Sequence, residues 1–462
     1  MDLKNYKHIH FLGIGGIGIS AIAEIMKDRG AEVSGSDMKE STVTDHLRKQ
    51  SITVYIGHAA ENAEGADLLV YSNAVSMENP EILKAKEMNI PVISRARALG
   101  MLLAEYPNSI AVSGTHGKTT TTSMVSLILN NAGKDPTITV GGILNELHGN
   151  VRIGGKDYFI TEACEYMDSF LELRPKVEII LNIDSDHLDY FKDINHITRS
   201  FRKFALSVPK DGTIIAYDAN PFVKAATADL DCSVKTFGFS EGSDYYAKNI
   251  SFDAMGHPSY DLFTKDGYLD RITLSVPGEH NVANSLAAIA TAFTLGVTDL
   301  DVIKSTLLAF RGTQRRFDII GRINGFTVVD DYAHHPTEIM ATLSAAQKLE
   351  HNRVWCLFQP HTYTRTLALM DQFADAFKDA DIVCLAEIYA AREKNIYKLS
   401  SAALMEDIKK RHPDKDVRFI DNFKDMAEYV LANAQPGDVV ITMGAGDIYR
   451  VGEMILGKGE KA

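Results

Sequence analysis

The run Ser113-Gly114-Thr115-His116-Gly117-Lys118-Thr119-Thr120 constrains this chain more than any other stretch. An apolar strand candidate, Ile110-Ala111-Val112, leads into it, and a helix candidate, Thr121 to Asn131, follows it. Strand, glycine loop, lysine, hydroxyl and helix, in that order, is what a triphosphate requires. Glycines let backbone N–H groups close around phosphate oxygens, and a helix N-terminus adds partial positive charge. Lys118 is placed to reach the outer phosphates, and the hydroxyl of Thr119 or Thr120 to hold a magnesium ion. The loop is nevertheless a variant. The pattern G-x-x-x-x-G-K-[ST] wants glycine where Val112 stands, so the spacing here is the shorter Gly114-x-x-Gly117.

A chain of 462 residues exceeds one ordinary core, so two to three domains are expected. With 45% hydrophobic and 24% charged residues it reads as soluble and globular. A net charge of −13 without a basic stripe argues against a nucleic-acid partner, though local loops can still bind anions. Residues 1–7 lack an apolar signal core and no later run reaches spanning length, so no membrane insertion is expected. The four cysteines are far apart, without a C-x-x-C pair, which suits reduced thiols and a cytoplasmic location.

Strand and helix patterns alternate through three segments, and alternation of this kind builds a parallel sheet covered by helices. The first segment has strands at 8–12, 32–36, 68–71 and 91–94 and a helix from Ser20 to Arg29. The second carries strands at 158–161 and 178–182, with antiparallel strands over roughly 244–276. The third has buried-type strands at 326–329, 354–358, 381–385 and 438–442. The expected division is 1–107, 108–314 and 315–462.

Chemistry-bearing residues gather at strand ends, where open α/β sheets place ligands. Gly13-x-Gly15-x-x-Gly18, followed by Asp37, fits a dinucleotide fingerprint: a pyrophosphate on a helix N-terminus and a carboxylate for a ribose hydroxyl. NAD, FAD and UDP-sugars all satisfy it. Glu162 and Glu165 follow one strand, and Asp184, Asp186, His187 and Asp189 follow another. Carboxylates there suit a metal bridging ATP and a second substrate, Mg2+ by oxygen preference, with His187 admitting Mn2+. Asn281 and Asn284, one helical turn apart, are either capping residues or readers of an adenine edge. Arg315 and Arg316 are either linker charges or cations that reach a γ-phosphate on domain closure. Asp331, Tyr332 and His334 follow one strand of the third segment, and His361, Tyr363 and Arg365 follow another, so they line one crevice.

Taken together, these residues resemble the Mur ligase family over essentially the whole chain. The resemblance rests on Gly-Ile-Gly-Gly-Ile-Gly-Ile-Ser at 13–20, Gly-Thr-His-Gly-Lys-Thr-Thr-Thr at 114–121, Glu-Ala-Cys-Glu at 162–165 and Asn-Ile-Asp-Ser-Asp-His at 182–187. It continues with Gly-Glu-His-Asn at 278–281, Asp-Asp-Tyr-Ala-His-His-Pro at 330–336, Phe-Gln-Pro-His at 358–361 and Gly-Ala-Gly-Asp-Ile at 444–448. It implies an α/β fold of three domains: a Rossmann-like N-terminal domain, a central P-loop-type ATPase domain with a mainly parallel sheet, and a Rossmann-like C-terminal domain. By resemblance the first binds the UDP moiety through Gly13, Gly15, Gly16, Ile17, Gly18, Asp37 and Ser72. The second binds ATP through Gly114, Thr115, His116, Gly117, Lys118, Thr119, Thr120 and Asn281, with Asp331 joining from the third. Thr119, Glu162 and His187 serve the metal, and Lys118, Glu162, His187 and Arg316 the catalysis. Tyr332, His334, His361, Tyr363 and Arg365 surround the amino acid. Many relatives have a more acidic run where this chain has Cys164 and Tyr166, and an arginine at Thr362. That leaves Glu162 and Glu165 as the acids, and Arg365 for the amino acid's carboxylate.

The last two motifs imply the alanine-adding branch. Its activity is ATP-dependent ligation of L-alanine to the lactyl carboxylate of UDP-N-acetylmuramate through an acyl phosphate, in peptidoglycan precursor synthesis. A homodimer is an open assembly. The alternative is a recycling ligase adding a ready-made tripeptide to the same sugar nucleotide. A nicotinamide-dependent oxidoreductase would leave the Lys118 loop unexplained. A non-catalytic nucleotide sensor would not need every apparent phosphate and metal residue.

Overall fold

The computed structural model describes residues 3–144, 146, 149–188, 190–391 and 393–458, so Asp189 lies outside the described residues. The chain packs into two compact units, Met1–Ile183 with Thr198–Phe237 and Ala287–Ile303, and Asp184–Ile197 with Gly238–Leu286 and Lys304–Ala462.

In the first unit, β1 (His8–Leu12), β2 (Glu32–Asp37), β3 (Thr53–Ile56), β4 (Leu68–Tyr71) and β5 (Val92–Ser94) form a parallel sheet in the order β3-β2-β1-β4-β5. The chain switches direction between β1 and β4, and the crevice beyond their carboxyl ends is where such sheets hold ligands. The following helix begins at Ile17 rather than Ser20, so the glycine loop runs directly into helical backbone.

The other sheet of this unit comprises β6 (Asn108–Ser113), β7 (Thr137–Leu144), β8 (Gly149–Arg152), β9 (Tyr158–Glu162), β10 (Val177–Ile180), β11 (Thr213–Tyr217) and β12 (Ser233–Gly238). Their order is β12-β11-β10-β6-β9-β7-β8, parallel except for the β7–β8 pair. β6, which delivers the phosphate loop, is therefore flanked by β9 and β10, which end next to the acidic motifs. The helix after the loop spans Lys118–Asn131, three residues longer at its start than the sequence suggests, because Gly117 at φ +84° turns the loop straight into it.

Glu178 is fully buried within β10. Its Oε1 accepts from Ser113 Oγ at 3.3 Å, while Oε2 has no partner among the described residues. Burial pushes its carboxyl well above the usual range. The folded state then holds the proton more tightly than the unfolded one, so stability falls as pH rises above about 4.5. Glu178→Met removes that slope. Because the Ser113 hydroxyl keeps its 2.8 Å bond to the Ile179 carbonyl, the variant should be more stable at pH 8 by roughly 1–3 kcal/mol. Urea unfolding at pH 5 and pH 8 reads both effects.

In the second unit, β13 (Tyr245–Phe252), β14 (Pro258–Thr264) and β15 (Gly267–Thr273) make the expected antiparallel strands. A six-stranded sheet contains β16 (Asp318–Ile323), β17 (Phe326–Asp331), β18 (Val354–Phe358), β19 (Ile382–Leu385), β20 (Asp416–Phe419) and β21 (Val439–Met443), ordered β16-β17-β21-β18-β19-β20. Only β16 is antiparallel. The sequence reading lacks β16, since a half-exposed edge strand carrying Asp318 and Arg322 has no buried apolar run. The same reading ends β17 too early: Asp330 and Asp331 stay in register with Thr442 and Met443 and are its last residues. β18 shows how the sheet is held. Val354, Cys356 and Phe358 face one apolar core and Trp355 and Leu357 the other, as the two-residue period of a strand buried on both faces demands.

Candidate active site

Gly114 (φ +136°) and Gly117 (φ +84°) take backbone conformations that side chains disfavour, which is why the loop needs glycine there. Asn182, just past β10, clamps the loop. Its Oδ1 accepts from the His116 N–H at 2.8 Å, its Nδ2 donates to the His116 carbonyl at 3.0 Å, and its own carbonyl accepts from the Thr115 N–H at 3.2 Å. Because the helix starts at Lys118, the amides of Lys118, Thr119 and Thr120 have no helical acceptor, an arrangement that suits an anion.

Lys118 Nζ donates to the carbonyls of Gly114 and Thr115 and stands 2.9 Å from Oε2 of the buried Glu165. Burial disfavours the ammonium, but Glu165 and Cys164 outweigh it and hold Lys118 above the usual lysine range. Glu162, the last residue of β9, accepts the Gly141 N–H on Oε1 at 2.6 Å. A Cβ on Gly141 would stand 2.7 Å from Glu162 Oε2, and one on Gly142 would meet Thr119 Cγ2 at 3.4 Å. Gly141 thus leaves room for the Glu162 carboxylate, and Gly142 for the Thr119 side chain. Carboxylate plus hydroxyl is an oxygen set that fits Mg2+.

Across the N-terminal sheet, a pocket of about 590 Å³ is lined by Gly13, Gly16, Asp37, His58 and Ser72. Gly15 belongs to the same loop, and Ile17 and Gly18 open its helix. Asp37 accepts the Gly15 N–H on Oδ2 at 2.9 Å and so braces the loop. A Cβ on Gly18 would lie 2.9 Å from Arg95 Nη1, so this glycine admits a guanidinium against the loop.

In the second unit, Arg365 Nε and Nη2 donate to Asp186 Oδ1 at 3.0 and 2.9 Å, and Nη1 lies 3.2 Å from His361 Nδ1. The His361 ring lies 5.8 Å from that of His334, which lies 5.4 Å from Tyr332. Tyr363 opens the next helix, Tyr363–Ala368, and is outside these contacts. His187 sits beside Asp186 with φ +53°, a strained backbone for a non-glycine residue. Asp331 accepts the N–H groups of Phe317 and Ala333, each at 2.7 Å. Arg315 is committed to Asp330 and the Gly444 carbonyl, whereas Arg316 lies over Tyr332 and only 4.0 Å from Glu338. Asn281 donates to the Pro277 carbonyl at 2.7 Å and accepts from Asn284 at 3.0 Å.

Burial dominates the titration of this unit. It raises the Asp331 carboxyl to about 6. It lowers His334 and His280 to about 4, helped by Arg365 and Arg316 respectively, and His361 to about 3, helped by His334 and Arg365. Each of these histidines takes up its proton in the unfolded chain near pH 6.5 and in the folded chain only near 3–4. Their contribution to stability is therefore complete above pH 6.5 and lost as pH falls toward 4. Asp331 works in the opposite direction between about 6 and 3.8, but one carboxyl does not offset three imidazoles. The urea midpoint of the second unit should drop between pH 7 and pH 4.5, by roughly several kcal/mol of stability. His361→Asn should flatten the slope.

Sequence reasoning missed three features. Asn182 was readable only as part of a motif. Arg95 lies far in sequence from the loop it approaches. His58 joins the pocket through a buried network that no local pattern announces.

Residues 8–107 match the Mur ligase family catalytic domain, 112–292 the Mur ligase middle domain and 315–446 the Mur ligase glutamate ligase domain. The chain is 49% identical over 456 residues to a UDP-N-acetylmuramate–L-alanine ligase of Alkaliphilus metalliredigens, covering 99% of this chain and 98% of that protein. Among solved structures, the UDP-N-acetylmuramate–alanine ligase of Thermotoga maritima superposes with a TM-score of 0.82 at 30% identity, covering 98% of this chain and 99% of that one. A murein peptide ligase of Psychrobacter arcticus gives 0.74 at 26%, covering 99% of each. With these relatives and its strand-end loops, the chain is of the class of multi-domain ATP-dependent ligases of α/β fold. The chain belongs to the Mur ligase family, with its three-domain α/β fold.

Proposed function

We propose that this chain ligates L-alanine to the lactyl carboxylate of UDP-N-acetylmuramate at the expense of ATP. One observation carries the reading: near-complete coverage at 49% identity by a protein named for that activity, with the solved alanine ligase superposing at a TM-score of 0.82 against 0.74 for the murein peptide ligase. In this reading residues 1–107 bind the UDP moiety, 108–314 bind ATP, and 315–462 bring the amino acid.

A lactyl carboxylate oxygen attacks the γ-phosphorus, the bond to the β-γ bridging oxygen breaks, and ADP leaves an acyl phosphate. The deprotonated amine of alanine then attacks the acyl carbon, and inorganic phosphate departs. Lys118 offsets the charge that moves onto the bridging oxygen, and the free helix-end amides cradle the phosphates. Glu165 and the Gly114 carbonyl fix the Lys118 ammonium in place for this. Thr119 and Glu162, with His187 as a third donor, would hold Mg2+, or Mn2+ in its stead, which when bound supplies charge neutralisation across the phosphates. Asn281 serves adenine and Asp331 the ribose. Tyr332, His334, His361, Tyr363 and Arg365 position alanine, and Arg316 approaches the γ-phosphate. No helix among the described residues is long and apolar enough to cross a membrane, and the cytoplasm is the proposed location, with a homodimer as an admissible assembly.

ADP release in the presence of UDP-N-acetylmuramate, ATP and Mg2+ tests the reading. L-Alanine should stimulate it and the tripeptide should not. Stimulation by the tripeptide alone would transfer the chain to the recycling activity.

A further inference from the structure

The second unit holds a pocket that the proposed reaction leaves unused. It lies beyond the carboxyl ends of β18, β19 and β20, and Gln359, Glu387, Tyr389, Asn422 and Lys424 contribute to its wall. Its volume of about 620 Å³ is that of a small-molecule site, for which about 300–1,000 Å³ is usual. Alanine, whose side chain is a single methyl group, needs little of it.

Tyr389 stands between this pocket and the arginine–histidine cluster. Its ring stacks on that of His361, with centroids 5.5 Å apart and planes at 19°. Among the described residues the pocket wall includes Tyr389 but none of Tyr332, His334, His361 and Arg365, so the Tyr389 ring is the boundary that the two spaces share. The ring is fixed in that place from several sides. The Tyr389 N–H donates to the Pro360 carbonyl at 2.8 Å, and the Tyr389 carbonyl accepts from the Thr362 N–H at 2.9 Å, which stitches the loop after β19 to the loop after β18. Glu393, further along the same loop, accepts from the Thr364 N–H at 2.9 Å. Gly446 gives the ring its room, since a Cβ there would stand 2.9 Å from Tyr389 Cγ.

We infer that Tyr389 sets the size limit of the amino-acid substrate, by closing the cluster off from this pocket. The inference rests on the reading of the chain as an alanine-adding ligase, in which Arg365 Nη1, 3.2 Å from His361 Nδ1, faces the carboxylate of the amino acid. A side chain extended along His361 toward the pocket then meets an aromatic wall instead of the open volume behind it. Excluding one methylene in this way is worth about 10–200-fold in kcat/KM. The ring, and not its hydroxyl, supplies the exclusion.

The test is ADP release with UDP-N-acetylmuramate, ATP and Mg2+, comparing L-alanine, L-norvaline and L-norleucine in the unmodified protein, Tyr389→Phe and Tyr389→Ala. The unmodified protein should use L-norvaline at no more than about a tenth of the kcat/KM for L-alanine. Tyr389→Phe keeps the ring and should keep that ratio. Tyr389→Ala joins the two spaces, so kcat/KM for L-norleucine should rise about tenfold or more in absolute terms while that for L-alanine holds or falls. A merely loosened cluster would lower all three values and raise none. Tyr389→Leu, which leaves a smaller apolar side chain against His361, should move the ratio in the same direction and serves if the alanine variant does not fold. A norleucine-to-alanine ratio unchanged in the folded truncation variants overturns the inference, as does equal use of the two amino acids by the unmodified protein. Stimulation of the unmodified protein by the tripeptide alone would instead remove the alanine reading, and the inference with it.

Discussion

Lys118→Ala is expected to abolish ligation, with a loss of about 10³-fold or more in turnover, while affinity for UDP-N-acetylmuramate changes by less than about threefold. The asymmetry follows from where the lysine stands. Its ammonium belongs to the phosphate loop, held by Gly114, Thr115 and Glu165. The pocket proposed for UDP is built on other strands of another sheet. The variant also strands Glu165, whose side chain is 3% exposed, so some stability is lost with the charge. Lys118→Ala/Glu165→Gln removes that complication: it should melt near the parent temperature and remain inactive. ADP release and calorimetric titration of the sugar nucleotide are the two measurements. Equal loss of both in the double variant would contradict the division of labour between the two sheets.

Much of this arrangement was legible because its signals are local. Strand, glycine and helix follow one another within a few residues in both nucleotide loops, and the buried strands 68–71 and 354–358 are continuous apolar runs whose bounds the structure reproduces. Helix starts were read late at Ile17 and Lys118 for one reason. Glycine and hydroxyl residues in a first turn look like loop, although a phosphate-binding end puts those residue types inside the helix. β16 escaped because an edge strand need not be apolar. The long-range pairings were out of reach in principle. That Glu81 sits beneath His58, that Glu165 holds Lys118, and that Asp186 meets Arg365 depends on the register of strands far apart in sequence. Composition and spacing do not encode such partners.

Arg365→Met should destabilise the second unit by about 3–5 kcal/mol, because it leaves a buried carboxylate without its counter-charge. Asp186 is 9% and Arg365 11% exposed, and two guanidinium nitrogens converge on one carboxylate oxygen. Burial opposes the charge on Asp186, but Arg365, followed by His187 and His335, outweighs it and holds the carboxyl far below the usual range. A depressed carboxyl stabilises the fold above its unfolded value of 3.8 and loses that contribution as pH falls below it, so at pH 7 the whole effect is present. Asp186→Asn should cost less, since Arg365 retains a neighbour in His361. The double variant should recover most of the stability lost in Arg365→Met, because no charge is then buried alone. Activity separates structure from substrate binding. With Nε and Nη2 on Asp186, Arg365 offers a substrate carboxylate only Nη1, beside His361, unless it exchanges partners. If Arg365 serves alanine, the stable double variant keeps a raised KM for L-alanine, with KM for ATP unaffected. A KM for L-alanine that returns to normal with the restored fold would confine Arg365 to pairing with Asp186 and pass the alanine carboxylate to another group of the cluster.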